Sequence, residues 1–281
     1  VVQDEFFLDQ LTDQKDDKHV FKNYRKGLVL AAHKKQQDYE FRGRVYPSSL
    51  YWSMCPMEFV KNIRKGTYFK ITHEGEEKKA RGSARHTIIQ DALMPLRYYY
   101  GNPVYPQFIL DELERKKSNG DNIKALPEYY VHDPDWLTSG WVDFPAREKG
   151  KLVIVDFKFT NILPKDWEEE RKRLPTEKQH CQLYLYHVHT KKHKYFDQDP
   201  SGIRLAVFNN LALPELLKGT PLEDLDPELE WYSDIDPIKE EMTIHLLDEC
   251  GKHVKQLLAD EFEEVCSYRY CNKHKEDISK L

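Results

Sequence analysis

Two aspartates and a lysine stand in a stretch that otherwise reads as a β-hairpin, "SGWVDFPAREKGKLVIVDFKFT", from Ser139 to Thr160. Asp156 follows directly on the apolar run Leu152, Val153, Ile154, Val155, where a strand facing a core would carry another aliphatic side chain. An ionised group in such a place is costly unless it is paired or holds a metal ion. The residues "REKG" signal a turn, and with its centre between Lys149 and Gly150 the numbers of paired residues sum to 299, which sets Asp143 opposite Asp156. Opposed residues of an antiparallel pair have Cβ atoms about 4.5–5.5 Å apart. Two carboxylates at that spacing repel unless a cation lies between them. Lys158 falls on the same face as Asp156, opposite Trp141 in this register. A structural salt bridge between Asp156 and Lys158 is the competing account, and a divalent metal ion is the stronger one. Similar spacings at Asp13-Lys15, Asp16-Lys18, Glu76-Lys78, Glu77-Lys79 and Glu114-Lys116 lie in polar segments and read as solvated charge.

The elements that would position these groups follow from patterning. Strands are expected at 128–132, 140–146 and 151–159, and again in "SGIRLAVFNN". Before them, Ser48 or Ser49 would cap a helix beginning near Pro56 and stopping at Gly66, and a second helix would enter at about Gly82. After the hairpin a charged helical region runs to about Thr190 with a break near Pro175, turns cover 213–237, and a last helix is expected from about Ile238 to Val265. Strands with helices on either side indicate an α/β (α+β) chain with a central mixed β-sheet flanked by helices. The expected organisation is a helical N-terminal region at 1–80, a core at 81–215, and an acidic connection with a C-terminal helix at 216–281 packed on the N-terminal region.

At 281 residues, with 40% hydrophobic and 12% aromatic residues, the chain can bury a substantial core. It contains no run of 18 apolar residues, and its opening "VVQDEFFLDQ" lacks the basic and apolar regions of a signal peptide, so no membrane partner and an intracellular location are expected. Net charge is −5, but from Leu222 to Glu264 fifteen acids face only Lys239, Lys252 and Lys255, so that segment carries −12 and the rest of the chain +7. A basic body with an acidic flank suits a polyanionic partner on one face. Solvated surface charge explains the same counts.

Further pieces carry a resemblance: His86 in "GSARHTIIQDA", Gly140-Trp-Val-Asp143, Asp156-Phe-Lys158, and "QLYLY" with Gln182 and Tyr186 four apart on one helix face. In this order, from Tyr46 to Cys271, they resemble the PD-(D/E)XK nucleases, and within them the RecB-like branch that includes the CRISPR-associated adaptation nucleases and related phage exonucleases. The resemblance implies a restriction-endonuclease-like core. It also implies that Asp143 and Asp156, with His86 and the Phe157 carbonyl, hold Mg²⁺ or Mn²⁺. A nitrogen ligand among oxygens suits Mn²⁺ better than an all-oxygen set. Lys158 would position and help deprotonate the attacking water or steady charge growing on the phosphate. Glu128 matches an acidic position of some members, and reads equally well as an exposed strand-end carboxylate. Gln182 and Tyr186 would touch the substrate backbone.

Five cysteines in an odd, scattered arrangement read as free thiols or metal ligands rather than a disulfide framework. "SSLYWSMCPMEF" and "CSYRYC" resemble the segments by which a subset of the family holds an iron-sulfur cluster. Cys55, Cys250, Cys266 and Cys271 would then meet at a 4Fe-4S cluster, although Glu263 stands where the family's remaining ligand usually lies and Cys250 is sixteen residues before Cys266. Zinc is the alternative, held by Cys55, Cys266, Cys271 and His274.

The function implied is a metal-dependent DNA exonuclease acting on single strands or duplex ends in recombination, replication or end processing. The alternative is a non-cleaving nucleic-acid-binding or assembly subunit of the same fold. DNA is the expected partner, with a homo-oligomer or recombination and replication proteins left open.

Overall fold

A computed structural model describes residues 43–64, 118, 129–160, 166–209 and 229–272. The expected helix entered at Gly82 and the connection at 102–126 lie outside the described residues, Ser118 excepted. The two-residue turn at Lys149 and Gly150 organises the rest. Both residues have positive φ, 47° and 82°, the combination that a tight turn needs to match the twist of its strands. It joins β3 (Phe144–Glu148) to β4 (Lys151–Thr160), and these pair antiparallel from Phe144↔Val155 to Glu148↔Lys151, every pair summing to 299.

β4 pairs in parallel with β5 (Gly202–Asn209), which pairs antiparallel with β6 (Leu229–Asp234), giving a mixed sheet in the order β3-β4-β5-β6. A parallel neighbour requires a crossover, supplied here by α2 (Trp167–Arg173) and α3 (Glu177–His193). The apolar run of β4 is continuous because both faces of the strand are buried. Ile154 joins Ile203, Leu205 and Val207 against Leu183 and Leu185 of α3. Val153, Val155 and Phe157 pack on the other face with Phe144, Ala206 and Phe208.

α3 starts at a capping box, in which Thr176 Oγ1 accepts from Gln179 N–H at 3.3 Å and Gln179 Oε1 accepts from Thr176 N–H at 2.9 Å. Reciprocal capping of this kind satisfies two donors that the first turn leaves unpaired. From His180 to Thr190 every residue of α3 is buried, as expected of a helix enclosed on all sides. α4 (Pro237–Leu258) packs on α3 and on α1 (Pro56–Arg64). Trp52, just ahead of α1, donates its indole N–H to Thr243 Oγ1 of α4 at 2.8 Å. The fold is therefore mixed α/β (α+β), a mixed sheet flanked by helices.

Four expectations are corrected. The strand expected at 140–146 breaks at Asp143 into β2 (Thr138–Val142), which pairs with β1 (Tyr129–Asp133) in a separate sheet, and β3. Under the 299 sum the Phe157 amide would meet the backbone of Val142. It goes instead to the Asp143 carboxylate, and the chain is released toward β1. Trp141 accordingly pairs with Tyr130 rather than opposing Lys158. Ser48 and Ser49 form a 3-10 turn with Pro47 instead of capping α1. β6 arises inside the segment expected to be turns, as a strand with β5 as its only partner among the described residues. The last helix stops at Leu258, not Val265, since Asp260 adopts φ 57° and Glu261 N–H closes back on Gln256 O at 2.8 Å; left-handed backbone ends helices.

Candidate active site

The break between β2 and β3 places Asp143 at the point where the chain leaves one sheet for the other, beside the middle of β4. Its Oδ2 accepts the Phe157 amide proton at 2.8 Å. Asp156 is 1% exposed and Asp143 6%. Charges so deeply buried need partners. Asp156 Oδ1 accepts from Gln182 Nε2 at 3.3 Å, and the same nitrogen lies 3.0 Å from the Tyr186 hydroxyl. Spacing of four on α3 puts Gln182 and Tyr186 on one face, and that face closes over the carboxylate. Asp156 Oδ2 is buried with no hydrogen-bond donor aligned to it, and the Lys158 ammonium ion-pairs with it.

Lys158 keeps 28% of its side chain exposed. Burial pulls its ammonium toward neutrality, but the charges of Asp156 and Asp143 outweigh that and hold its pKa above the ordinary lysine value. It is a cation in this arrangement. Five of the residues singled out in the sequence, Asp143, Asp156, Lys158, Gln182 and Tyr186, thus meet in one place. The Phe157 side chain points to the opposite face of the sheet, into the cluster with Phe144 and Phe208. Gly140 belongs to the same construction. A Cβ there would lie 3.0 Å from Pro47 Cδ and Cγ and 3.2 Å from Tyr186 Cε1, so its hydrogen lets β2 close on the 3-10 turn and on α3. His86 and Glu128 lie outside the described residues.

The donor set suits a hard divalent cation: two buried carboxylates, one with an oxygen lacking an aligned donor, and a lysine that ion-pairs with Asp156 and feels the charge of Asp143.

A second set of ligating atoms joins the ends of the described chain. The thiols of Cys55, Cys266 and Cys271 all lie within 4.8 Å of one another. Burial pushes Cys55 up to about 12 and raises Cys266 as well, each thiol also feeling its neighbours. Cys250 is buried and interacts electrostatically with Cys55 and Cys266, but it does not belong to the close set. Thiolates bound at about 2.3 Å around a single tetrahedral zinc stand roughly 3.8 Å apart. The trio fits one such ion more readily than the corners of a four-iron cube, for which Cys250 would be needed as the fourth ligand. His274 lies outside the described residues.

Asp133, His189 and His193 form a cluster that the sequence did not single out. Asp133 Oδ1 accepts from the amides of Asp135 and Trp136 at 2.8 and 2.7 Å, while Lys192 Nζ and His193 Nε2 reach Oδ2 at 2.7 and 2.8 Å. Both oxygens are thereby filled, and the cluster works as a buried ion-pair network that pins the β1 end to α3. His189 beside it donates to or accepts from Thr138 Oγ1 at 2.6 Å. The only advance signal was Asp133 beside the turn and the basic end of α3.

No family model matches the chain, and no curated protein matches it. Among solved structures it is similar to one described as "Crystal structure of SSO0001", at 11% sequence identity and a TM-score of 0.39, with 84% of each chain covered.

Proposed function

We propose that this chain is a metal-dependent nuclease of the PD-(D/E)XK type, close to the RecB-like branch, that hydrolyses phosphodiester bonds at DNA ends. The observation that carries the reading is the ion pair of Lys158 with the buried Asp156, beside Asp143, under the face of α3 that bears Gln182 and Tyr186. A chain that needed only packing at this point could use an aliphatic residue in place of Asp156 at less cost.

Asp143 and Asp156 would hold Mg²⁺ or Mn²⁺, with the Phe157 carbonyl and His86 completing the set. A bound divalent cation supplies Lewis-acid polarisation of the phosphate and a lowered pKa for water. The chain's own groups do the rest. The Phe157 amide fixes one oxygen of Asp143, and Gln182 fixes one oxygen of Asp156 while itself resting against Tyr186. Both carboxylates therefore keep their orientation without substrate, which avoids reorganisation during reaction. Lys158, held cationic by the two aspartates, is suited to steadying negative charge on the phosphate more than to removing a proton from water. Its partial exposure lets it reach a substrate while Asp156 stays buried.

End-labelled single-stranded and duplex DNA incubated with Mg²⁺ or Mn²⁺ tests the reading. Shortening of label by the native chain, abolished in Asp156→Asn and by chelation, is expected. Intact DNA under both metals would overturn it. The cysteine trio adds a structural zinc in this proposal, away from the hydrolytic groups.

A further inference from the structure

The segment before the 3-10 turn extends the small sheet. Val45 bridges Thr138 in parallel, with Val45 N–H on Leu137 O at 2.8 Å and Ser139 N–H on Val45 O at 3.1 Å. Side chains alternate across this three-stranded patch. Val45, Thr138, Gly140, Tyr129 and Val131 point inward and are buried. Arg44, Tyr46, Tyr130, His132, Ser139 and Trp141 therefore share the outer face; Ser139 is covered, and three of the others are among the exposed large side chains: Trp141 at 54%, Tyr46 at 37% and Tyr130 at 36%. Trp141 and Tyr130 are register partners with ring centroids 5.1 Å apart and planes tilted by 55°. Arg44 donates to the Tyr130 hydroxyl at 3.0 Å, so the phenol is held from one side by a guanidinium and from the other by an indole.

A core aromatic would be covered, and a merely solvated strand has no need of three exposed aromatic rings on its outer face. This face carries neither acid nor aliphatic side chain, and Trp141 lies two residues before Asp143, next to the point where β2 ends. We propose that Trp141, Tyr130 and Arg44 form a platform on which unpaired bases of a single-stranded nucleic acid stack as the strand enters the site of Asp143 and Asp156. The inference rests on the nuclease reading for its direction and deepens it by naming an unpaired strand as substrate. Every base has a π-face, so such a platform is tolerant of sequence, and a nearby cation favours the flanking phosphate. A duplex, with its bases already stacked, gains nothing from it.

The test is binding of a fluorescently labelled thymidine oligonucleotide and of an abasic oligonucleotide of equal length, followed by anisotropy with divalent metal chelated. The native chain should hold the base-bearing strand more tightly than the abasic one. Trp141→Ala should lose about tenfold on the first and nothing on the second. Tyr130→Phe, which keeps the ring, should bind as the native chain does, and Tyr130→Ala should not. Equal affinity of Trp141→Ala and native chain for the base-bearing strand would overturn the platform while leaving cleavage at Asp156 untouched. A difference that persists in a chain which never cleaves would support the platform and sink the nuclease. Loss of self-association in Trp141→Ala, with no effect on the oligonucleotide, would assign the face to a protein contact and refute the proposal.

Discussion

The carboxylate of Asp143 accepts the amide proton of Phe157 at 2.8 Å. A side chain thereby takes the place a backbone carbonyl would fill in an uninterrupted ladder, and the strand pair is opened beside Asp156 rather than at its end. The charged groups meet because the sheet is interrupted there.

Asp156→Asn and Lys158→Ala should each lower cleavage by at least about a hundredfold, the scale of removing one preorganised electrostatic partner. Single-turnover rates at saturating DNA check this. Circular dichroism should show both variants folded, since Lys158 is partly exposed and the amide of asparagine can still receive the Gln182 bond.

Gly140→Ala forces a methyl to 3.0 Å from two atoms of Pro47. Overpacking of this kind costs about 1–3 kcal/mol, and urea denaturation should report it. Because Tyr186 is pushed as well, activity should fall further than stability alone explains. Gly150→Ala, with nothing near its Cβ position but a φ of 82°, should cost about 1 kcal/mol and leave the catalytic rate unchanged.

Buried imidazoles should make the fold less stable in acid. Burial pushes His189 down to about 3, against the pull of Asp133, and pushes His180 down to about 4, with Lys239 adding to the effect. Both are neutral in the fold and gain a proton on unfolding once the pH drops below their ordinary value of about 6.5. Their contribution is complete above that pH and is lost as the pH falls toward 4, at about 1.4 kcal/mol per pH unit for each. Urea denaturation at pH 7.5, 6.0 and 5.0 should show the slope, and His189→Gln should make it shallower.

Cys55→Ser, Cys266→Ser and Cys271→Ser should each release the same metal ion, measured by elemental analysis and by a chelating dye after thiol modification. Effects on stability should be strongly non-additive, because the first loss already opens the site. Cys250→Ser should retain the metal if a single ion is held by the trio, and lose it if a four-iron cluster is present. A colourless protein with one zinc separates the two in the native chain.

The register of the β3–β4 hairpin was legible because a turn sequence and an apolar run fixed it together: Lys149 and Gly150 set the pairing, and Leu152 to Val155 fixed which residues were enclosed. Gln182 and Tyr186 stood out through the resemblance of "QLYLY" to the family's helix, and their spacing added only that they share one face. The break at Asp143 was not legible, because it depends on where one side chain spends its hydrogen bond. β6 escaped notice since Glu230 and Asp234 make an edge strand look like a loop. The Asp133 network was equally hidden: its members are common residues whose meaning comes only from the packing of β1 against the far end of α3.

Ser53 O receives the amide of Asn272 at 3.4 Å, and Lys61 of α1 ion-pairs with Glu264 beyond α4. During synthesis from the amino end, Cys55 therefore waits more than two hundred residues for Cys266 and Cys271. All the residues assigned to hydrolysis between Asp143 and Tyr186 leave the ribosome before that wait is over. Segments that emerge early begin to fold before distant partners arrive, so contacts around Asp156 can begin to form before the cysteine trio closes. A metal ion bound by the trio would tie together segments far apart in the chain and so lengthen the life of the whole fold, while touching none of the groups proposed for hydrolysis.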